Sequence, residues 1–138
     1  MVKQLSVFIE NKPGRIYKLT QILGKNKIDL VMLSIADTQD FGILRLITND
    51  IQKSYNVLKE AGYTVSITEL IGVEVPDSPG GLADVLAVFD KAEISIEYLY
   101  SFARTSDKTA IILFRVEDSQ SALLKLKDQK IVVTDRVL

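Results

Sequence analysis

One segment occurs twice in this chain, and the repetition constrains the fold more than any other feature. Asn11-Lys12-Pro13-Gly14 closes an alternating apolar run and opens an amphipathic helix, and Asp77-Ser78-Pro79-Gly80 does the same 66 residues later. The correspondence extends beyond the loop. Pro13 aligns with Pro79 and Ile28 with Ile94 at a shift of 66, and Asp50 aligns with Asp118 and Leu58 with Leu126 at a shift of 68. A fixed register of this kind marks internal duplication. The two added residues fall in the second hairpin turn, where insertions cost little. The chain therefore reads as two units, residues 1–68 and 69–138, joined without a linker because Thr68-Glu69-Leu70 runs from strand to strand.

The elements follow from periodicity. Residues 3–10 alternate, with Leu5, Val7 and Ile9 on one face, as in a half-buried strand. Pro13 ends it. From Gly14 to Asn26 the apolar residues Ile16, Leu19, Ile22 and Leu23 follow helical spacing. Asp29 to Thr38 and Phe41 to Thr48 are strand-like, with a turn at Thr38-Gln39-Asp40. Asn49 or Asp50 caps a helix through Ile51, Tyr55 and Leu58, stopped by Gly62, and the β-branched run 64–68 forms a further strand.

The second unit repeats this order. Leu70 to Val75 is a strand, Leu82, Val85, Leu86 and Phe89 mark a helix, and Ser95 to Ala103 and Thr109 to Val116 are strands joined by a turn at Thr105-Ser106-Asp107-Lys108. Asp118 caps the last helix and Ile131 to Thr134 closes the unit. The fold class is α+β: two ferredoxin-like βαββαβ units, each a four-stranded antiparallel sheet with two helices on one face. Phe8, Leu44 and Leu46 alternate with Val7, Ile43 and Ile47, and Ile111 and Leu113 with Ile112 and Phe114, so both sheet faces carry apolar residues. Strands of this kind are usually covered on both sides. Units of this size bury only ~60% of their unfolded surface, which adds to the expectation of a homodimer.

Composition excludes several classes of chemistry. Among 138 residues there is no Cys and no His, which removes thiol catalysis, disulfides, thiolate metal sites and an imidazole acid–base group. The formal charge of −1 arises from interspersed signs, so neither nucleic acid nor a membrane surface is an expected partner. No apolar run approaches a membrane span and the first residues lack a signal-peptide pattern, so a cytoplasmic location is expected. Asp37 and Asp40 flank a turn with no converging third carboxylate, and no metal or cofactor is expected.

The duplicated loop is the chemically suggestive part. It stands at a helix N-terminus, where free N–H groups and the helix dipole favour an anion. Gly14, Gly80 and Gly81 lack a Cβ, so a carboxylate can approach the backbone closely. Asn11 and Asp77 can hydrogen-bond loop amides as caps or accept from a ligand ammonium. The same residues suit a plain turn and helix start, and the motif alone leaves both readings open. Arg15 can meet a ligand carboxylate or stand free in the first turn. Tyr98 and Tyr100 share a strand face and can line a pocket or pack in an interface. Arg45 and Arg115 interrupt apolar strands and can pair with a carboxylate across the sheet.

The order of elements, with Asn11-Lys12-Pro13-Gly14-Arg15 and Asp77-Ser78-Pro79-Gly80-Gly81-Leu82 between first strand and first helix, resembles the ACT domain family. The passages Asn26-Lys27-Ile28-Asp29-Leu30 and Ala92-Glu93-Ile94-Ser95-Ile96 resemble it too, and two tandem copies cover essentially the whole chain. The resemblance implies a stand-alone, non-catalytic protein that binds a small amino acid at interfaces between paired domains and modulates an enzyme of amino-acid metabolism. It nominates Asn11, Lys12, Pro13, Gly14 and Arg15, with Asp77, Ser78, Pro79, Gly80, Gly81 and Leu82, as ligand-binding residues. From the second strands it adds Asp29, Leu30 and Val31, with Ser95, Ile96 and Glu97. Serine-binding members carry a His two residues before the loop Asn, where this chain has Ile9 and Val75. The alternative function is an interaction module that oligomerises or docks on an enzyme through its apolar sheet face.

Overall fold

The computed structural model describes residues 1–36, 40–104 and 108–137, with the side chains of Ala103 and Arg104 left aside. Apart from Asp40 and Lys108, the two expected hairpin turns lie outside the described residues, as does Asp37. The chain divides into two compact units, Lys3–Thr68 and Glu69–Val137, the second also including Met1 and Val2.

The first unit consists of β1 (Val2–Glu10), α1 (Arg15–Lys25), β2 (Leu30–Ala36), β3 (Phe41–Thr48), α2 (Ile51–Glu60) and the first residues of β4 (Thr64–Pro76). Its strand order is β2-β3-β1-β4. The rest of β4 opens the second unit, followed by α3 (Gly81–Lys91), β5 (Ile96–Arg104), β6 (Thr109–Val116), α4 (Ser119–Leu126) and β7 (Val132–Thr134). There β4 lies between β6 and β7, and β6 pairs with β5. Each unit thus has the antiparallel βαββαβ arrangement of the ferredoxin-like fold. The strands expected at 64–68 and from Leu70 to Val75 are one strand, because Glu69 brings no Gly, Pro or turn chemistry to break the extended backbone.

The register sorts the alternating residues into faces. Val7 lies opposite Leu44 and Leu5 opposite Leu46, while Phe8 lies opposite Ile43 and Ser6 opposite Arg45. Directly opposed residues share a face. Leu5, Val7, Ile9, Leu44 and Leu46 therefore meet Leu19 and Leu23 of α1 and Leu58 of α2 in one core, which puts both helices on one side of the sheet. Phe8 and Ile43 occupy the other side and are exposed. In the second unit Ile71, Val73, Val75, Ile112, Phe114 and Val116 pack with Val85, Phe89, Ala122 and Leu126. Ile111 and Leu113, on the opposite face of β6, are also buried.

Helix ends repeat between units. Asp50 and Asp118 accept from the amides of Lys53 and Ser121 at 3.0 Å, the side-chain cap expected for these residues. After α1, Lys27 takes a left-handed conformation (φ 55°), with Ile28 N–H donating to Leu23 O and Lys27 N–H to Gly24 O. After α3, Glu93 (φ 53°) does the same, with Ile94 donating to Phe89 O and Glu93 to Asp90 O. Both are Schellman closures carrying a side chain where Gly is usual. Gly62 (φ 92°) makes the equivalent closure after α2.

Candidate functional site

The loop after β1 is built from backbone hydrogen bonds. Asn11 N–H donates to Asp40 O at 2.9 Å, tying the loop to the start of β3, and Lys12 N–H turns back to Glu10 O at 2.9 Å. Pro13 brings no amide. Gly14, at φ 84°, is the N-cap of α1, where Arg15 N–H reaches Lys12 O and Lys18 N–H reaches Gly14 O. The second loop repeats each step. Asp77 donates to Lys108 O, Ser78 to Pro76 O, Gly81 to Ser78 O and Asp84 to Gly80 O, with Gly80 at φ 87° as N-cap.

The N-cap residues of α1 and α3 are Gly14 and Gly80, not Asn11 and Asp77, which the sequence offered as possible caps. Neither α1 nor α3 has a side-chain cap; the left-handed glycine is the cap residue and loop carbonyls take the first amide. Among the described residues, the amides of Gly14, Ile16 and Tyr17 find no acceptor, nor do those of Gly80, Leu82 and Ala83. These are the orphan donors of a helix entrance.

Side chains distinguish the loops. In the first, the Glu10 carboxylate is 3.2 Å from Lys12 Nζ and 3.5 Å from Arg15 Nη2, all three exposed to solvent. Exposed pairs of this kind hold together by about 0–1 kcal/mol, so either cation is readily re-partnered. Beside them lies a cleft of about 160 Å³ lined by Ile9, Glu10, Asn11, Lys12, Ile16, Ile35 and Gly42. At Gly42, Ile35 packs close to bare backbone, since a Cβ there would stand 3.2 Å from Ile35 Cγ2 and 3.4 Å from Ala36 O.

The second loop is drawn in. A Cβ on Gly81 would stand 2.1 Å from Pro76 O, so only Gly fits against the end of β4. The hollow of about 360 Å³ beside it is lined by Glu74, Pro76, Gly81, Asp84, Val85, Val88, Thr109, Lys130, Ile131 and Val132, which includes Gly81 but not Asp77, Ser78, Pro79, Gly80 or Leu82.

The second-strand residues do not meet the loop of their own unit. Asp29 N–H donates to Asn49 Oδ1 at 3.0 Å, and Leu30 pairs with Thr48, at the end of β2 away from the loop. Val31 follows Leu30 there. Ser95 lines a separate hollow of about 180 Å³ with Glu93, Ile94, Val116, Glu117, Asp118, Ser121, Ala122 and Lys125. Ile96 packs on the second core, and Glu97 pairs with Arg115 at 3.3 Å, the carboxylate partner anticipated for that Arg. The rings of Tyr98 and Tyr100 stack 6.4 Å apart along β5.

Glu10, Ile16, Ile35 and Gly42 belong to the first cleft, yet the loop motif nominates none of them. The signal for Glu10 was the cation spacing of Lys12 and Arg15; Ile35 and Gly42 depend on strand register and carry no local signal. Among the described residues, no group of acidic side chains is placed to hold a metal ion, and no helix is long and apolar enough to cross a membrane.

The comparisons with known proteins agree with this architecture. A model of the ACT domain pair matches residues 1–136. The crystal structure of protein BT0572 from Bacteroides thetaiotaomicron is 38% identical, covers 99% of this chain and 94% of its own, and superposes with a TM-score of 0.87. The ligand-free regulatory subunit of aspartate kinase from Thermus thermophilus shares the fold at 17% identity, 91% and 90% coverage and a TM-score of 0.63. The corresponding subunit from Thermus flavus does so at 17% identity, with the same coverage and a TM-score of 0.59. No curated protein matches in sequence. With both loops, both sheets and a family match across nearly its full length, the chain belongs to the ACT domain family, as a tandem pair of such domains.

Proposed function

We propose that this ACT domain pair is a non-catalytic regulatory protein that binds a small amino acid at the first-unit loop and reports its occupancy to an enzyme of amino-acid metabolism. The observation that carries this reading is the first cleft. It is lined by Ile16, whose amide at the helix entrance has no acceptor, by Lys12, held only by the exposed Glu10 carboxylate, and by an apolar wall of Ile9 and Ile35. A zwitterion offers a carboxylate to the amides and to Lys12 or Arg15, and an ammonium to Glu10. Binding favours whichever conformation completes these contacts, and a partner that distinguishes conformations reads the occupancy. Without His or Cys, the chain has few groups for acid–base or nucleophilic work near neutral pH.

The test is a thermal-shift screen of the purified protein against the proteinogenic amino acids at millimolar concentration. A ligand at a hundredfold its Kd adds about 2.7 kcal/mol of stability. That corresponds to a rise of roughly 5–10 °C for a protein of this size. No shift with any amino acid, repeated by calorimetry, removes the reading.

A second reading rests on a different observation. Phe8 and Phe41 stack with centroids 5.0 Å apart on the first sheet and, with Ile43, are each more than 40% exposed. Exposed apolar groups of this kind suit contact with another chain. If this face serves a purely structural module, light scattering shows a mass that rises with concentration, F8S lowers it, and no amino acid shifts the melting curve.

A further inference from the structure

We infer that the first-unit cleft selects an aliphatic α-amino acid, with Gly42 as its specificity-determining residue; this rests on the amino-acid-binding reading above. The cleft has two chemically distinct ends. The loop end carries Glu10, Asn11 and Lys12. The strand end is formed by Ile9, Ile16 and Ile35 around the bare backbone of Gly42. A zwitterionic head satisfies the first end. The second offers a side chain nothing but methyl and methylene groups.

Size and charge narrow the class. The 160 Å³ of the cleft holds head group and side chain together, so only a small side chain fits beside the head. A charged or amide side chain placed among three isoleucines loses its water without gaining a partner, which no apolar contact offsets. Valine, leucine and isoleucine match both ends of the cleft.

The second unit serves as an internal control. Gly42 pairs with Ile9 where Ala110 pairs with Val75, and Ile35 pairs with Leu44 where Ser101 pairs with Ile112. The second unit therefore carries a methyl group where the first lets Ile35 pack against bare backbone, and a hydroxyl where the first has an isoleucine wall. Its loop carries Pro76, Ser78 and Gly81 in place of Glu10, Lys12 and Arg15. The selecting features are confined to the first unit.

Isothermal titration of the full chain with L-valine, L-leucine and L-isoleucine, against L-serine, L-glutamate and L-lysine, tests this. At least one aliphatic amino acid is expected to bind about tenfold more tightly than any of the polar three, and G42V, which pushes the Ile35 wall out of place, to weaken it about tenfold or more. The matched A110V variant leaves affinity unchanged. Ile35 is exposed, so I35A folds even if G42V does not, and it too weakens the aliphatic ligand while leaving the unliganded melting temperature in place. Tighter binding of serine, glutamate or lysine, or wild-type affinity for the aliphatic ligand in I35A, overturns the inference and leaves amino-acid binding standing. Absence of binding by every amino acid removes both.

Discussion

Where the first unit buries Thr48 and Ser54, the second buries Val116 and Ala122 at the same register positions. Thr48 and Ser54 are joined by a hydrogen bond of 2.7 Å, and Ser54 Oγ also donates to Asp50 O at 2.7 Å. Val116 and Ala122 fill the equivalent volume without polar atoms. Leu23 and Leu46 of the first core likewise correspond to Phe89 and Phe114 of the second, whose rings stack 4.6 Å apart. At these matched positions two copies of one fold thus use polar and aliphatic residues in one case and apolar and aromatic ones in the other. The shared element is the pattern of inward positions; identity at each position is set by the local fit.

The loops differ in the opposite sense. Their backbone hydrogen bonds repeat step for step, but the first presents charged, exposed side chains beside a cleft and the second packs a bare glycine on its own strand. Repeated backbone with divergent side chains is what the proposal of a single binding loop requires.

Substitutions at matched positions break this comparison apart. Phe114→Ala removes a stacked, fully buried ring and is expected to cost about 3–5 kcal/mol in urea denaturation, against about 2–4 kcal/mol for the aliphatic Leu46→Ala. Equal costs would show that the aromatic pair adds nothing beyond its volume.

Gly81→Ala drives a methyl group into Pro76 O and is expected to cost about 1–3 kcal/mol, possible only through a shift of the loop. Its counterpart Arg15→Ala, at an exposed pair, should stay within about 0.5 kcal/mol of wild type. A neutral Gly81→Ala would mean the second loop is not drawn in.

Ser54→Ala leaves the buried Thr48 hydroxyl without this partner and is expected to cost about 1–3 kcal/mol, much of it recovered in the Thr48→Val, Ser54→Ala double variant. The second unit, with Val116 and Ala122, is the precedent for that recovery. A double variant as unstable as the single one would show that the polar pair organises the first core in a way the second does not need.

The smallest effect tests the shared helix ends. Lys27→Gly and Glu93→Gly relieve a left-handed side-chain residue and are each expected to be neutral or to stabilise by up to about 1 kcal/mol, the gain partly offset by the flexibility of Gly in the unfolded chain. Similar values at both sites would confirm equivalent closures.

Much of this was legible in the sequence because it is local. The strand over Phe41 to Thr48, the caps at Asp50 and Asp118, the stop at Gly62 and the duplication itself depend on residues a few positions apart. The continuity of β4 was less legible, since an alternating run interrupted by a single Glu looks like two strands until its pairing is known. Asn11 and Asp77 looked like possible caps because a polar residue ahead of Pro-Gly satisfies the sequence rule, whereas the left-handed glycine moves the cap position three residues on. The cleft was illegible for another reason. Ile35 and Gly42 reach the loop only through the pairing of β2, β3 and β1, and a glycine in a strand announces space without naming what faces it.

The central claim is that an amino acid binds at the first loop and not at the second. An amide-resolved NMR titration of the labelled chain with L-valine, L-leucine and L-isoleucine reads this directly. The account predicts saturable shifts concentrated at the amides of Gly14, Ile16, Tyr17 and Gly42, with Gly80, Leu82 and Ala83 unmoved. Shifts centred on the second loop, or none at millimolar ligand, would contradict it.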